Sequence, residues 1–221
     1  YGCTSDITPL AQNYFSALQE HNIVYALAGY LAFKVTVKGR VFHGLTPKTG
    51  TNGAEAANYL LNELQDYIDN TNAKEDEIIG TGKPLLRVVN IQTSGKRGLY
   101  KSSEKAEVYF KRTVSPQENS QEVFESFKSE LKRIEDKYKE LEIEVKKAKE
   151  LPSFSMDKND ELVNDLEDAF LEVMDEKPNV TGMPTPVGIS QFLAKKPIPT
   201  VLFGLGYVNF HHAFDERIKI D

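Results

Sequence analysis

Half of the four histidines stand together near the end of the chain, in "GLGYVNFHHAFDERIKI", with Asp215 and Glu216 three and four residues beyond His212. A histidine that follows an apolar run and a glycine turn, with acids one helical turn on, has three readings. It is a metal ligand, a catalytic base or a surface histidine. Imidazole is a common zinc ligand, but zinc takes about four donors, and the adjoining residues do not complete such a set. A third histidine, His43, follows the alternating stretch "LAFKVTVKG" and precedes "GLTPKTGTNGAE". Asp6 opens a helical pattern, where a carboxylate caps the free N–H groups. Three acids, Glu75, Asp76 and Glu77, lie in the polar stretch "AKEDEIIGTG" and read as a solvated loop.

These residues need elements to hold them. Residues 6–22 carry Leu10, Tyr14, Phe15 and Leu18 at helical spacing. "LAFKVTVKG" puts Leu31, Phe33, Val35 and Val37 on one face of a half-buried strand. Asn52, with Glu55 three residues on, forms a capping-box pattern before a helix with Ala57, Leu60, Leu61, Leu64 and Ile68 on one side. Two strands follow, "LLRVVNIQT" and "AEVYFKR", the second with Ala106, Val108 and Phe110 on one side. A helix from about Asn119 to Tyr138 repeats Val123, Phe124, Phe127, Leu131 and Ile134, and the strand "LEIEV" closes the set. The order β-α-β-β-α-β over residues 28–148 is the ferredoxin-like split βαβ, with one sheet face under two helices.

Beyond "ELPSFS" a helix near 159–175 is predicted to bury Leu162, Val163, Leu166, Phe170 and Val173. "TGMPTPVG" reads as a turn and "SQFLAKK" as a short helix. "IPTVLFG" reads as a strand buried on both faces. One such strand makes no sheet alone, so its neighbours are expected in the first 27 residues or in a segment outside this chain.

Composition sets the class. The chain has 221 residues, 40% hydrophobic and 27% charged, with a formal charge of -6 and a pI near 5.4. This acidic balance argues against a general nucleic-acid binder. No apolar run reaches a membrane span, and no basic start with an apolar h-region marks a signal peptide. The single Cys3 rules out an intrachain disulfide and fits a reducing cytosol, so a cytoplasmic location is expected. The start at Tyr1 without methionine leads to the expectation of a chain cut at its ends.

Two blocks carry a resemblance. "IPTVLFGLGYVNFHHAFDERIKI" resembles the closing signature of the M20 metallopeptidases, an apolar strand, a G-x-G turn and H-x-x-x-E. That group includes acetylornithine deacetylases, succinyl-diaminopimelate desuccinylases, aminoacylases and carboxypeptidases. "GYLAFKVTVKGRVFHGLTPKTGTNGAEAANYLLNEL" resembles the entry to the family's lid domain, whose topology is ferredoxin-like. The resemblance implies an α/β chain in three parts. Residues 1–27 would be a strand-helix remnant of the catalytic domain, 28–150 the lid and dimerisation domain, and 151–221 the C-terminal part of the catalytic domain.

It also implies a chemistry. The family hydrolyses amide or peptide bonds of N-acyl amino acids or small peptides with two zinc ions. The ions activate a water, a glutamate takes its proton, and a lid histidine from the partner subunit stabilises the oxyanion. On this resemblance His212 takes the place of a metal ligand, with His211 an extra neighbour, and Asp6 that of the aspartate bridging the two ions. His43 takes the place of the oxyanion histidine reaching across a homodimer. Asn52 and Arg112 fall near the family's substrate-side positions.

The departures are equally definite. No His-x-Asp and no Glu-Glu pair occurs in the chain, although the family draws its first ligand and its general base from them. Lys111, Arg112 and Thr113 stand where the third lid strand shows D-x-R. "PTPVGISQFLA" stands where G-T-x-D-a-R precedes the last strand. The expectation is therefore an M20-like hydrolase chain that is inactive alone. The alternative is a dimerising or ligand-binding homologue that has lost its metal site.

Overall fold

The computed structural model describes residues 22–39, 51–74, 76, 78, 84–94 and 103–204. The strands are β1 (Asn22–Leu27), β2 (Gly29–Lys38), β3 (Leu86–Ser94), β4 (Lys105–Val114), β5 (Glu142–Leu151), β6 (Phe154–Ser155) and β7 (Asn179–Met183). The helices are α1 (Gly53–Ala73), α2 (Ser120–Lys137), α3 (Glu161–Met174) and α4 (Ile189–Leu193).

β2 to β5 form a four-stranded antiparallel sheet in the order β3-β4-β2-β5. With α1 between β2 and β3, and α2 between β4 and β5, this is the ferredoxin-like arrangement expected from the sequence. The period of two puts Leu31, Phe33, Val35 and Val37 of β2, and Ala106, Val108 and Phe110 of β4, on one buried face. Ala57, Leu60 and Leu64 of α1 and Phe127, Leu131 and Ile134 of α2 close over it. The Phe127 ring stacks on Phe33 at 4.9 Å and meets Phe110 edge-on at 5.2 Å. Truncating such a ring costs about 3–5 kcal/mol.

A second, smaller sheet has the order β6-β1-β7, with β7 parallel to β1 and β6 antiparallel. Val24 and Leu202 exchange backbone hydrogen bonds at 2.8 and 2.9 Å. The C-terminal third thus finds its strand neighbour in Asn22–Leu27. The two sheets are joined by a two-stranded ribbon, because β1 and β6 pair and β2 and β5 pair on either side of Gly29. A side chain at Gly29 would run into the backbone of Leu151, Pro152 and Ser153, so the two crossings touch only because this residue has no Cβ.

Several sequence expectations change here. Strand β1 was not foreseen, and β7 takes Thr181, Gly182 and Met183 out of the predicted turn by pairing with β1. Helix α3 buries Val163 and Phe170, leaves Leu166 half-buried, and leaves Leu162 and Val173 38% and 79% exposed. It rests on β1 along a narrow stripe, and no described residue covers its other flank. "IPTVLFG" makes one bridge, at Leu202, instead of a strand buried on both faces. Its ladder partner among the described residues is Val24, so Ile198 stays 52% and Phe203 39% exposed. The predicted helix over 6–22 lies outside the described residues.

Candidate functional site

Asn52 has extended backbone angles, and its side-chain oxygen accepts from the N–H groups of Ala54 and Glu55 at 2.9 and 3.1 Å. The Glu55 carboxylate accepts from the Asn52 N–H at 3.3 Å, which completes the capping box. This helix start is docked on the head of β4. Gly53 donates to the Ser103 carbonyl at 2.9 Å, and a Cβ on Gly53 would meet the Lys105 backbone. The Asn52 Oδ1 is committed to the cap, and Nδ2 is the part of the amide that the cap does not use.

Arg112 lies at the other end of β4. It shares the parity of Ala106, Val108 and Phe110, and so points beneath the helices, its side chain 5% exposed. Its guanidinium donates to the Thr113 carbonyl and, at 2.6 Å, to Glu118, whose second oxygen accepts from the Ser115 N–H at 3.0 Å. The pair closes the turn between β4 and α2. Removing one partner strands the other charge in a largely dry place, at a cost of about 2–4 kcal/mol.

Seven residues of extended strand separate the Asn52 dock at Lys105 from Arg112, roughly 24 Å. Within one chain these two do not form one site. Asp6, His43, His211 and His212 lie outside the described residues. Among the described residues no three His, Cys, Asp or Glu side chains gather as a metal centre would need. Of the acidic stretch, Asp76 caps its own turn, its carboxylate accepting from the Ile78 N–H at 2.9 Å.

The open face of the large sheet carries a carboxylate that the sequence did not single out. Glu107 accepts from Lys105 at 2.9 Å and from the Tyr109 hydroxyl at 3.0 Å, with Lys34 at 3.5 Å. The hydrogen bond from Lys105, then that from Tyr109, pulls its carboxyl down to about 2. Such a group is ionised at neutral pH and too weak a base to take a proton from water. The same bond holds the Tyr109 hydroxyl above its ordinary value.

The two sheet edges differ sharply. β5 ends the sheet in Glu142, Glu144, Lys146, Lys147 and Lys149, the charged edge that resists pairing. β3 is exposed from Arg87 onward and shows Val88, Val89 and Ile91 at 36%, 59% and 47%. No helix among the described residues is long and apolar enough to cross a membrane.

Known proteins agree with this architecture. Residues 25–139 match the model of the M20 peptidase dimerisation domain. An uncharacterised metallohydrolase of Methanocaldococcus jannaschii is 27% identical over 207 residues, covering 87% of this chain and 48% of its own. The dipeptidase Dug1p of Saccharomyces cerevisiae superposes with a TM-score of 0.67 at 14% identity, over 93% of this chain and 53% of its own. Human carnosine dipeptidase 1 gives 0.61 at 16% identity, over 87% and 51%. The chain therefore spans about half the length of the relatives it matches. Since the matched region takes in just over half of the chain, the protein belongs to the M20 peptidase family and carries its dimerisation domain.

Proposed function

We propose that this chain is the lid and C-terminal portion of a metal-dependent hydrolase of amide or peptide bonds, working as a homodimer. The supporting observation is the reach of the metallohydrolase match. It runs over 207 residues, well past the dimerisation domain, and so extends to the smaller sheet. The division at about residues 28 and 150 coincides with the ribbon at Gly29 and Pro152. Zinc is the metal, with His212 and Asp6 the donors from this chain and His43 the oxyanion histidine of the partner's site. Small N-acyl amino acids or dipeptides are the substrates, with Asn52 as a substrate contact through Nδ2. Arg112 serves the substrate side only indirectly, by fixing the turn after β4.

Two donors are fewer than the four that zinc takes, and no His-x-Asp or Glu-Glu pair is present to add to them. This chain alone is therefore a scaffold rather than a turnover-competent enzyme. A non-catalytic, dimerising homologue is the second reading. It is favoured by Lys111 and Thr113 standing at the D-x-R positions and by the inward lock of Arg112.

Elemental analysis of the purified chain after dialysis against a slight zinc excess tests the proposal, together with an assay on dipeptides and N-acetyl amino acids. Well under one zinc per chain and no turnover are expected. Two zinc ions per chain with turnover would overturn the incompleteness and restore a whole active site. A longer native chain that neither binds metal nor hydrolyses these substrates would favour the homologue without a site.

A further inference from the structure

The open face of the four-stranded sheet is strongly polarised. Cross-strand register sets out its rows in the order β3, β4, β2, β5. One row in from the ribbon come Arg87, Lys111, Ala32 and Lys149, then Asn90, Tyr109, Lys34 and Lys146. The two far rows hold Gln92, Glu107, Thr36 and Glu144, and Ser94, Lys105, Lys38 and Glu142. All three acids of the face thus sit in its far half, and five cations fill the near half of a chain whose net charge is -6. Lys34 and Lys146 lean toward Glu107 and Glu144 at 3.5 and 2.7 Å. Arg87, Lys111 and Lys149 are exposed and have no ion pair among the described residues, and Lys111 lies over the Tyr30 ring at 4.6 Å. Ala32 leaves a low place in the middle of this row.

Helix α3 is the counterpart. Glu161, Asp165, Asp168 and Glu172 recur at i, i+4, i+7 and i+11, forming one exposed stripe opposite the buried Val163 and Phe170. None of the four has an ion pair among the described residues. The stripe is about 16 Å long at the helical rise, and the cation row spans three strand spacings, about 14 Å. Beside the acids runs an apolar stripe of Leu162, Leu166 and Val173. Beside the cations, one register row nearer the ribbon, stand Tyr30 and Leu151. Length, charge and the neighbouring apolar strip all match.

We propose that the row Arg87, Lys111, Ala32, Lys149 is a docking surface for helix α3 of a second copy of this chain. The helix lies across the strands over Ala32, its acids on the cations and its exposed Val173 flank toward Tyr30 and Leu151. Exposed ion pairs are individually weak and screened by salt, so the contact is a low-salt association that the adjoining apolar strip reinforces. It is separate from any pairing of the β3 edge, which depends on backbone hydrogen bonds and apolar side chains.

Sedimentation velocity of the full chain across concentration, at about 20 mM and about 300 mM salt, tests this. The expected result is an association step, present at low salt and lost at high salt. Lys111→Glu with Lys149→Glu in one variant, and Asp165→Lys with Asp168→Lys in another, each weaken it by about tenfold or more. Mixing the two variants restores association, because the reversed row then meets the reversed helix. The proposal fails if wild type shows no salt-sensitive step, if the variants associate as wild type does, or if the mixture stays dispersed. Salt-sensitive compaction at constant mass would also overturn it, placing the helix on its own sheet. So would binding of a single-stranded RNA probe without self-association, which would give the row to a polyanion.

Discussion

A single side chain is read from sequence by type, but its duty depends on where the backbone aims it. The alternation that puts Ala106, Val108 and Phe110 inside also puts Arg112 inside, so its inward direction was legible from parity alone. Its pairing with Glu118 was not, because that contact depends on how the turn after β4 folds back. Glu107 was invisible for a related reason. Two of its three partners, Lys105 and Tyr109, lie on its own strand and the third on β2, and only register brings Lys34 beside them. This carboxyl yields a pH prediction. Its folded value, about 2, lies below its ordinary 4.5, so the stabilisation is complete above about pH 4.5 and fades as the pH falls toward 2. Thermal melts of wild type and Glu107→Gln should therefore differ at pH 7 and draw together only as the pH falls through about 2. A gap that stays constant across that range would mean that the ionised carboxylate is not what the strands hold.

At the scale of elements, the sequence was most legible where local signals agreed with each other. Both long helices of the large sheet begin at side-chain caps, Asn52 and Asn119, and both bury the stripe that their period indicates. The smaller sheet was hardest to see, because its strands are short and come from distant parts of the chain. Residue 22 pairs with residue 179, and Leu202 returns to Val24. Apolar pattern alone could not tell whether "IPTVLFG" has neighbours on both sides, since that depends on strands brought in from elsewhere. The Asn52 cap gives a prediction at this scale. Asn52→Ala removes two acceptor contacts from the first turn of α1, which should cost about 1 kcal/mol, a Tm drop of about 2–4 °C. Asn52→Asp should keep the cap and most of the stability. If both variants melt alike and low, the lost quantity is not the oxygen at the helix start.

For the whole molecule the decisive asymmetry is between the two edges of one sheet. An open sheet edge invites pairing unless it is charged, twisted or covered. β5 meets that requirement with its lysines and glutamates, whereas β3 presents Val88, Val89 and Ile91 beside backbone groups that no described residue pairs on that side. For the proposed homodimer this predicts the edge: two copies of β3 would pair, extend the sheet across the two-fold axis, and cover those side chains with their counterparts. Pairing at β3 rather than β5 also leaves the open face free on both copies, since that face is perpendicular to the edge. Ile91→Lys places a charge where the two strands would meet and leaves the core of Phe33, Phe110 and Phe127 untouched. Light scattering coupled to size exclusion, at a salt concentration that screens surface charge, should find wild type at twice the chain mass and Ile91→Lys at the chain mass. Glu144→Lys, on the charged edge, should remain at twice the chain mass. A dimer that survives Ile91→Lys but dissociates with Glu144→Lys would move the interface to β5.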